Sequence, residues 1–367
     1  MKIIIGADLV PTDSNVHLFN EGNVEAIVGK EMKEILDSAD YRIFNLEIAL
    51  TNEDTPIRKG GPNLSAPTST IEGYKAFGVD LLGISNNHVL DHGRVGFDST
   101  VKTLDEAGIA RVGAGYTKEE ASKPYIFEKE GKKIGVYACC EHEYSWIDDY
   151  GFGANGFDPL NSLDHIAELR KQVDYLIVLY HGGKEHYRYP SPYLRKVCRR
   201  IVEKGADIVL CQHTHAVGTE ENYLGKKIVF GQGNFVFAKE LVNFDTWNTG
   251  ILTRIDLSDD GVKIDYIPYE RNECGVRLVN TPEILDGFYQ RSEEIKEEGF
   301  IEKKFEEMAV KIFPTRYYSH ILGEKPDEEF MQKRGNSLLG YMMCEVHYEC
   351  ITTALKMILG IGKYGEK

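Results

Sequence analysis

Short apolar runs alternate with segments of helical periodicity from residue 2 to about residue 270. The runs are rich in β-branched residues and predict strands, whereas the intervening segments repeat apolar residues every three or four positions. This alternation is typical of α/β layering. Strands are predicted near Lys2–Gly6, Tyr41–Asn45, Val79–Ile84, Lys132–Ala138, Tyr175–Tyr180, Ile208–Cys211, Lys227–Gly231, Thr249–Ile255 and Val262–Pro268.

Helices are predicted between several of these strands, and one of them has clear limits. Ser191 followed by Pro192 is typical of a helix start, and Gly205 is typical of a helix end. The tetrapeptide Ser-Asp-Asp-Gly at residues 258–261 predicts a hairpin turn. The predicted helices are Asn23–Asp37, Thr68–Phe77, Val95–Ala107, Leu160–Gln172 and Ser191–Lys204.

Beyond Thr281 the pattern is helical and charge-rich, and prolines interrupt it. The end of the chain carries no motif to which a function can be assigned. We therefore predict an α/β domain over residues 1–275 and a C-terminal helical extension over residues 276–367.

Composition narrows the class of protein. A hydrophobic content of 42% and a charged content of 28% are those of a soluble globular protein. The net charge of -15 argues against nucleic acid as a partner, because binding to phosphates requires clustered Lys and Arg. The 7 cysteines are odd in number and lack a C-x-x-C pair, which indicates reduced thiols.

The apolar runs also predict that this chain has no membrane anchor. The N-terminal run ends before Asp8, and no run reaches the roughly 18 apolar residues of a spanning helix. We therefore expect a cytoplasmic protein, and its oligomeric state stays open.

Polar side chains that can bind a metal follow five of the predicted strands. In an open α/β sheet the carboxyl ends of the strands lie at one edge, where ligands bind, and right-handed crossovers keep these ends together. We therefore expect residues far apart in sequence to converge there. They are Asp8, Glu47, the pair Asn87-His88, His181 and the pair His213-x-His215.

Each of these residues has an ordinary alternative role. Asp8 could cap a turn, Glu47 could be a solvated or salt-bridged carboxylate, and Asn87 could cap the following helix. The histidines could be hydrogen-bonded core or surface residues. Their shared position at strand ends favours a metal site, and the predominance of imidazole suits Zn, Mn or Fe better than Ca or Mg alone.

The charge of such a site points to a reaction. Two divalent ions opposed by two carboxylates leave about +2, which would bind an anionic substrate and stabilise the transition state of phosphoryl transfer. Glu47 is the natural bridge between two ions, and a shared water would lose its proton near neutral pH. His88, if it binds no metal, can protonate the leaving oxygen.

Four separated segments carry a family resemblance: NLEIALTNEDTPIRKGGPNLSAP, GISNNHVLDHG, VLYHGGKEHYRYPSP and GADIVLCQHTHAVGTEENYLGKKIVFGQGNFVF. In collinear order they resemble the CapA family, the poly-γ-glutamate capsule biosynthesis proteins. That family is similar in fold to the calcineurin-like metallophosphoesterases. The resemblance implies a β-sandwich core flanked by helices.

The resemblance also implies two metal positions that share Glu47. Asp8 and His215 match ligands of the first position, whereas Asn87, His181 and His213 match ligands of the second. His88 matches the residue that acts on the substrate or leaving group, and Asp91 matches the acid that orients it.

One departure from the phosphoesterase pattern concerns the first position. The usual Asp-x-His motif is here Asp8-Leu9-Val10, so one ligand is missing. We therefore predict that the second position binds its ion more tightly, and that the purified protein holds fewer than two ions.

Four further residues are weaker candidates for substrate binding. Arg58 and Lys59 lie in a Gly/Pro-rich loop that could reach an anionic substrate, although loop charges are usually solvated. Glu185 could support His181 or bind substrate, or it could be an ordinary acid at a helix start. Asn234, within Gly-Asn-Phe, suits the site and a turn equally well.

Two functions fit these observations. The first is a metal-dependent, phosphoesterase-like hydrolase that uses a metal-activated water as nucleophile and His88 as general acid. The second is a non-hydrolytic accessory protein of capsule or polyglutamate synthesis that binds an anionic polymer. An unligated His88 beside Asn87 favours the enzyme, because a binding site does not require it.

Overall fold

Two β-sheets pack face to face at the centre of the molecule. The computed structural model describes residues 1–238, 245–258, 261–318 and 335–359. Its strands are β1 (Lys2–Leu9), β2 (Tyr41–Asn45), β3 (Ala49–Leu50), β4 (Ser65–Ala66), β5 (Leu81–Gly83), β6 (Ala110–Val112), β7 (Ala114–Gly115), β8 (Tyr125–Lys129), β9 (Lys132–Cys140), β10 (Gly153–Ala154), β11 (Tyr175–His181), β12 (Ile208–Gln212), β13 (Val217–Tyr223), β14 (Lys226–Gln232), β15 (Asn234–Val236), β16 (Thr249–Ser258), β17 (Gly261–Arg271) and β18 (Val276–Leu278).

The two large sheets each contain a parallel centre. The larger has the order β18-β17-β16-β1-β2-β5-β6, with β15 paired to β1, and its neighbours from β1 to β6 are parallel. The smaller has the order β13-β14-β12-β11-β9-β8, and its neighbours from β14 to β9 are parallel. Antiparallel strands flank both centres.

Apolar residues alternate between two cores along the central strands. Ile3 and Ile5 of β1 pack between the sheets with Ile177 of β11, whereas Ile4 packs on the opposite face against helices. Because both faces of each sheet are covered, these strands have nearly continuous apolar sequences.

Helices cover both outer faces of the sandwich. Helices α1 to α5 pack on the larger sheet, and α8 and α9 pack on the smaller. The helices are α1 (Val16–Glu21), α2 (Val24–Val28), α3 (Lys30–Asp37), α4 (Ile71–Ala76), α5 (Gly93–Ala107), α6 (Lys118–Ser122), α7 (Ile147–Tyr150), α8 (Ser162–Arg170), α9 (Pro192–Glu203), α10 (Glu283–Glu294), α11 (Phe300–Ile312), α12 (Gly335–Met343) and α13 (Glu345–Leu359), with short 3₁₀ turns at Thr68–Thr70 and Asp245–Asn248 and a π-helical turn at Phe313–Tyr317.

The α/β prediction is confirmed, including the sandwich and its flanking helices. The cap at Ser191 is also confirmed, because its hydroxyl accepts a hydrogen bond from the Leu194 N–H at 3.1 Å. The single helix predicted over Asn23–Asp37 is wrong: it divides at Gly29, whose φ of 78° lies outside the helical range.

The chain after β16 also follows the predicted pattern in part. β16 and β17 form the predicted hairpin, with Ser258 opposite Gly261, and the two turn residues at 259 and 260 lie outside the described residues. β18 pairs with β17, so the larger sheet continues past the boundary predicted between residues 275 and 276. The division of the chain into two domains stays a prediction. Among the described residues, no helix is long and apolar enough to cross a bilayer.

Candidate metal centre

The carboxyl ends of central strands from both sheets meet at one edge, and the predicted metal ligands lie there. Asp8 is the penultimate residue of β1, and Glu47 follows β2. From the smaller sheet, His181 ends β11 and His213 follows β12. All four side chains are buried. The expected convergence therefore involves two sheets, each of which contributes the ends of its parallel strands.

The ligands predicted for the second metal position form a tight cluster. His181 Nε2 lies 3.1 Å from Glu47 Oε1, 3.0 Å from Asn87 Oδ1 and 3.1 Å from His213 Nδ1. His213 Nδ1 is 3.9 Å from the same Glu47 oxygen. Four potential ligand atoms from four separate chain segments are thus directed at one small volume.

The ligands predicted for the first position share Glu47 with this cluster. One potential ligand atom from each of Asp8, Glu47 and His215 lies within 4.8 Å of the others, and His215 Nδ1 is 3.4 Å from Asp8 Oδ2. Asn234 Oδ1 lies 2.7 Å from His215 Nδ1, so this asparagine contacts a predicted ligand. Val10 packs in the apolar core against the helices and offers no ligand atom.

Buried carboxylate oxygens test whether these residues fit a divalent cation. Asp8 Oδ2 and both Glu47 oxygens are buried, and histidine nitrogens lie 3.4 Å from Asp8 Oδ2 and 3.1 Å from Glu47 Oε1. An ionised oxygen buried in this way is strongly unfavourable unless a cation compensates it. Together with the imidazole nitrogens, these oxygens form a donor set that suits Zn, Mn or Fe. The residues therefore fit one or two divalent ions.

The electrostatics of the cluster are those of mutually compensating charges. Burial opposes ionisation of Glu47, but the nearby His215 and His181 hold the pKa of its carboxyl well below the usual range. Burial also opposes protonation of His213, yet Glu47 and neighbouring carboxylates raise the pKa of its imidazole to about 9. A bound cation would replace such protons, because imidazole must be neutral to bind metal.

The turn after β12 brings two histidines to the site through unusual backbone geometry. His213 has a φ of 79° and His215 a φ of 52°, both in the left-handed region. This region is uncommon for residues other than glycine, and strain of order 1–3 kcal/mol per residue is typically retained at functional sites. The compact turn directs both rings to the same cleft, which explains why a pair separated by one residue can serve two positions.

His88 lies next to the cluster and is held by a buried ionic network. Its Nδ1 is 2.6 Å from Asp91 Oδ2, as the prediction for Asp91 requires. Lys59 forms an ion pair with the other oxygen of Asp91, and its Nζ is 3.1 Å from His88 Nδ1 and 3.3 Å from the Asn87 carbonyl oxygen. Asp91 is thus placed to orient the imidazole.

The other weak candidates have different surroundings. The side chain of Lys59 is 1% exposed, so it supports Asp91 from inside the protein and is not a solvated loop charge. Arg58 beside it is exposed. Glu185 accepts a hydrogen bond from Arg316 at 3.0 Å and lies 3.8 Å from Lys184, so its closest ionic partners are cations rather than His181.

Three residues near the ligands were not predicted. Asn45 donates a hydrogen bond to Asp8 Oδ1 at 2.7 Å, and Asn86 donates one to the Leu46 carbonyl at 2.8 Å. Glu143 Oε2 is 3.4 Å from His213 Nε2. Asn45 ends β2 and Glu143 follows β9, so the same strand-end rule, applied to every strand, would have identified both.

Comparison with known proteins identifies the family of this chain. A family model described as "Bacterial capsule synthesis protein PGA_cap" matches residues 5–239, which is more than half of the chain. The chain belongs to this family. The matched region contains every predicted metal ligand, and the result confirms the resemblance stated from the four sequence segments.

Two curated relatives of this PGA_cap protein come from Bacillus species. "Capsule biosynthesis protein CapA" of Bacillus anthracis is 24% identical over 296 residues, which cover 78% of this chain and 71% of that protein. "PGA biosynthesis protein CapA" of Bacillus subtilis is 26% identical over 216 residues, 56% of this chain and 55% of that protein. The chain therefore spans about half the length of the second relative.

Among solved structures, a hypothetical protein from Thermus thermophilus aligns with a TM-score of 0.47 and 17% identity. The alignment covers 74% of this chain and 100% of that one.

Proposed function

We propose that the protein is a metal-dependent hydrolase that acts on a phosphoester or a related ester or amide. The observation that carries this proposal is the position of His88, which lies beside the potential ligand Asn87 and is bound through Nδ1 to the buried Asp91. A site that only binds anions needs a metal cation and the residues that bind this cation. It does not need an imidazole held ready for proton transfer.

Glu47 and the surrounding side chains would hold the cation. Glu47 is shared by both clusters and would bridge them, His181 and His213 would complete one position, and Asp8 and His215 the other. A divalent cation held there would lower the pKa of a bound water and offset the negative charge of the transition state.

The chain's own residues would move the proton. Because Nδ1 of His88 is engaged by Asp91, Nε2 is the ring nitrogen left to donate a proton to the leaving oxygen. Asp91 would orient the ring, and Lys59 would hold Asp91 in place through their buried ion pair. A positioned acid of this kind contributes about 10²–10⁴-fold to the rate.

An activity screen of the metal-loaded protein tests the proposal. The protein is loaded with Mn or Zn and assayed on aryl phosphomonoesters, phosphodiesters and carboxylic esters. We expect turnover by the wild type and its loss in His88→Ala with metal content retained. His17→Ala, at an exposed histidine in α1, is the matched control and should keep full activity. Absence of turnover by the wild type on every ester would contradict the proposal.

A second function, accessory binding during polymer synthesis, is favoured by the names of the two Bacillus relatives. Both names refer to biosynthesis, of a capsule or of PGA, and neither refers to hydrolysis. In this function the same metal centre would bind carboxylates of an anionic polymer. Binding of a polyglutamate chain to the metal-loaded protein, with no change in chain length and equal affinity in His88→Ala, would support this function over the first.

A further inference from the structure

The C-terminal helices pack against the edge of the sandwich that contains the candidate metal centre. The backbone N–H of His142 donates to Glu345 at 2.9 Å, and the N–H of Tyr193, in the first turn of α9, donates to Glu349 at 2.9 Å. Arg316 binds Glu185 from the same side. These contacts join a segment outside the region matched by the family model to the loops that surround the site.

One line of contacts runs from these helices to a predicted ligand. Glu143 Oε2 lies 3.4 Å from His213 Nε2, and its other oxygen, Oε1, lies 3.8 Å from His347 Nε2. On the far side of that ring, His347 Nδ1 is 2.7 Å from the hydroxyl of Tyr317. His213, His347 and Tyr317 are buried, so solvent does not readily substitute for these partners.

The two nitrogens of His213 have different surroundings. Nδ1 is directed at Glu47 and His181, where the cation would bind, and Nε2 is directed at Glu143. A histidine that binds a metal typically donates its other ring N–H to a carboxylate or carbonyl group, which fixes the ring and makes the ligand more basic. Glu143 occupies the place of that carboxylate.

We propose that the C-terminal helices position the metal ligand His213 through His347 and Glu143. This inference rests on the proposed metal centre. It adds to that centre the C-terminal helices, which lie outside the region matched by the family model. His347, hydrogen-bonded to Tyr317, lies 3.8 Å from one oxygen of Glu143, and the other oxygen of Glu143 faces His213. Glu143 and His347 are positioning residues, because neither lies among the predicted ligands.

Paired substitutions at His347 distinguish positioning from simple packing. In His347→Gln the amide nitrogen takes the place of Nε2 and can still reach Glu143. In His347→Asn the amide nitrogen takes the place of Nδ1 and can reach only Tyr317. Glu143→Gln removes the charge of the intervening carboxylate and keeps its shape. Tyr348→Ala, at a residue that is 52% exposed on α13, is the control.

The readout is the affinity for Co²⁺ and the visible absorption spectrum of the Co²⁺-loaded protein, neither of which depends on turnover. We expect His347→Asn and Glu143→Gln to weaken Co²⁺ binding by about 10–100-fold and to change the spectrum. His347→Gln and Tyr348→Ala should retain the wild-type affinity and spectrum.

The possible results separate this inference from the metal centre itself. If the wild type binds no Co²⁺, the metal centre and the inference both fail. If the wild type binds Co²⁺ and Glu143→Gln binds it equally well with the same spectrum, the inference fails and the metal centre stands. Equal weakening in His347→Gln and His347→Asn would also overturn it, because the contact with Glu143 would then be irrelevant. Glu143→Gln, in the loop after β9, keeps the test decisive if a substitution in α13 disturbs folding.

Discussion

Replacement of Glu47 by alanine should remove the effect of metal ions on the stability of this protein. Glu47 is the residue that the two predicted metal positions share, and its side chain is fully buried. Loss of this one carboxylate therefore disrupts both positions at once. The remaining histidines would then face a cation without the shared negative charge that offsets it.

The size of the effect follows from binding to the folded state alone. At a metal concentration of about 1,000 times Kd, binding stabilises the fold by about 4 kcal/mol. An unfolding entropy of about 2.1 cal/mol/K per residue gives about 0.8 kcal/mol/K for 367 residues. The wild type should therefore gain about 5 °C in Tm at this concentration. Glu47→Ala should gain almost nothing.

The assay is thermal unfolding with and without Mn or Zn after removal of metal by a chelator. The matched control is Glu221→Gln, because Glu221 is also a paired carboxylate but lies with Arg195 and Arg199, away from the cluster. The control should show the full metal-dependent shift. If Glu47→Ala retains the wild-type shift, the bridging role assigned to Glu47 is refuted.

Three further predictions concern the metal count, the buried ion pair and pH. The wild type should hold fewer than two ions per chain, as measured by elemental analysis. Two ions in the wild type would refute the idea of a defective first position. Asp91→Asn should lower the free energy of unfolding by about 3–5 kcal/mol because Lys59 is then buried without its partner. The double variant Asp91→Asn/Lys59→Met should recover part of this loss, as measured by urea unfolding. If the changes in free energy of unfolding of the two single variants simply add up in the double variant, the two residues are not coupled. Burial lowers the pKa of His347 from 6.5 to about 4, so the unfolded chain binds its proton first and stability should fall as pH decreases between these values. His347 should account for up to about 3 kcal/mol of this loss of stability, so the loss should be smaller in His347→Gln. If unfolding of His347→Gln shows the same pH dependence as the wild type, this prediction is wrong.

The convergence at the sheet edge could be predicted from the sequence because parallel strands constrain where their ends lie. Asp8, Glu47, His181 and His213 each come at or just after the end of a strand, and these strands run parallel within their sheets. The sequence pattern does not reveal that two sheets share this edge. Helix ends were predicted well where caps were present, as at Ser191, and poorly where Gly29 divides a periodic pattern.

The surroundings of the ligands were not predictable in the same way. Lys59 belongs to a Gly/Pro-rich loop, whose composition is typical of solvent-exposed segments. Tertiary packing nevertheless buries its side chain against Asp91. His347 lies in the helical segment that carries no recognisable motif, and its contact with Glu143 depends on how α13 packs against the sandwich. Such contacts between distant segments leave no local periodicity or spacing in the chain.

Anomalous diffraction from crystals soaked in Mn or Zn would test the central claim most directly. The account predicts a peak at the metal edge bound by Glu47, with His181 and His213 among its ligands at about 2.0–2.2 Å for Zn. A weaker peak beside Asp8 and His215 would mark the first position. The account would be contradicted by crystals of the intact, folded protein that show no anomalous peak within bonding distance of Glu47.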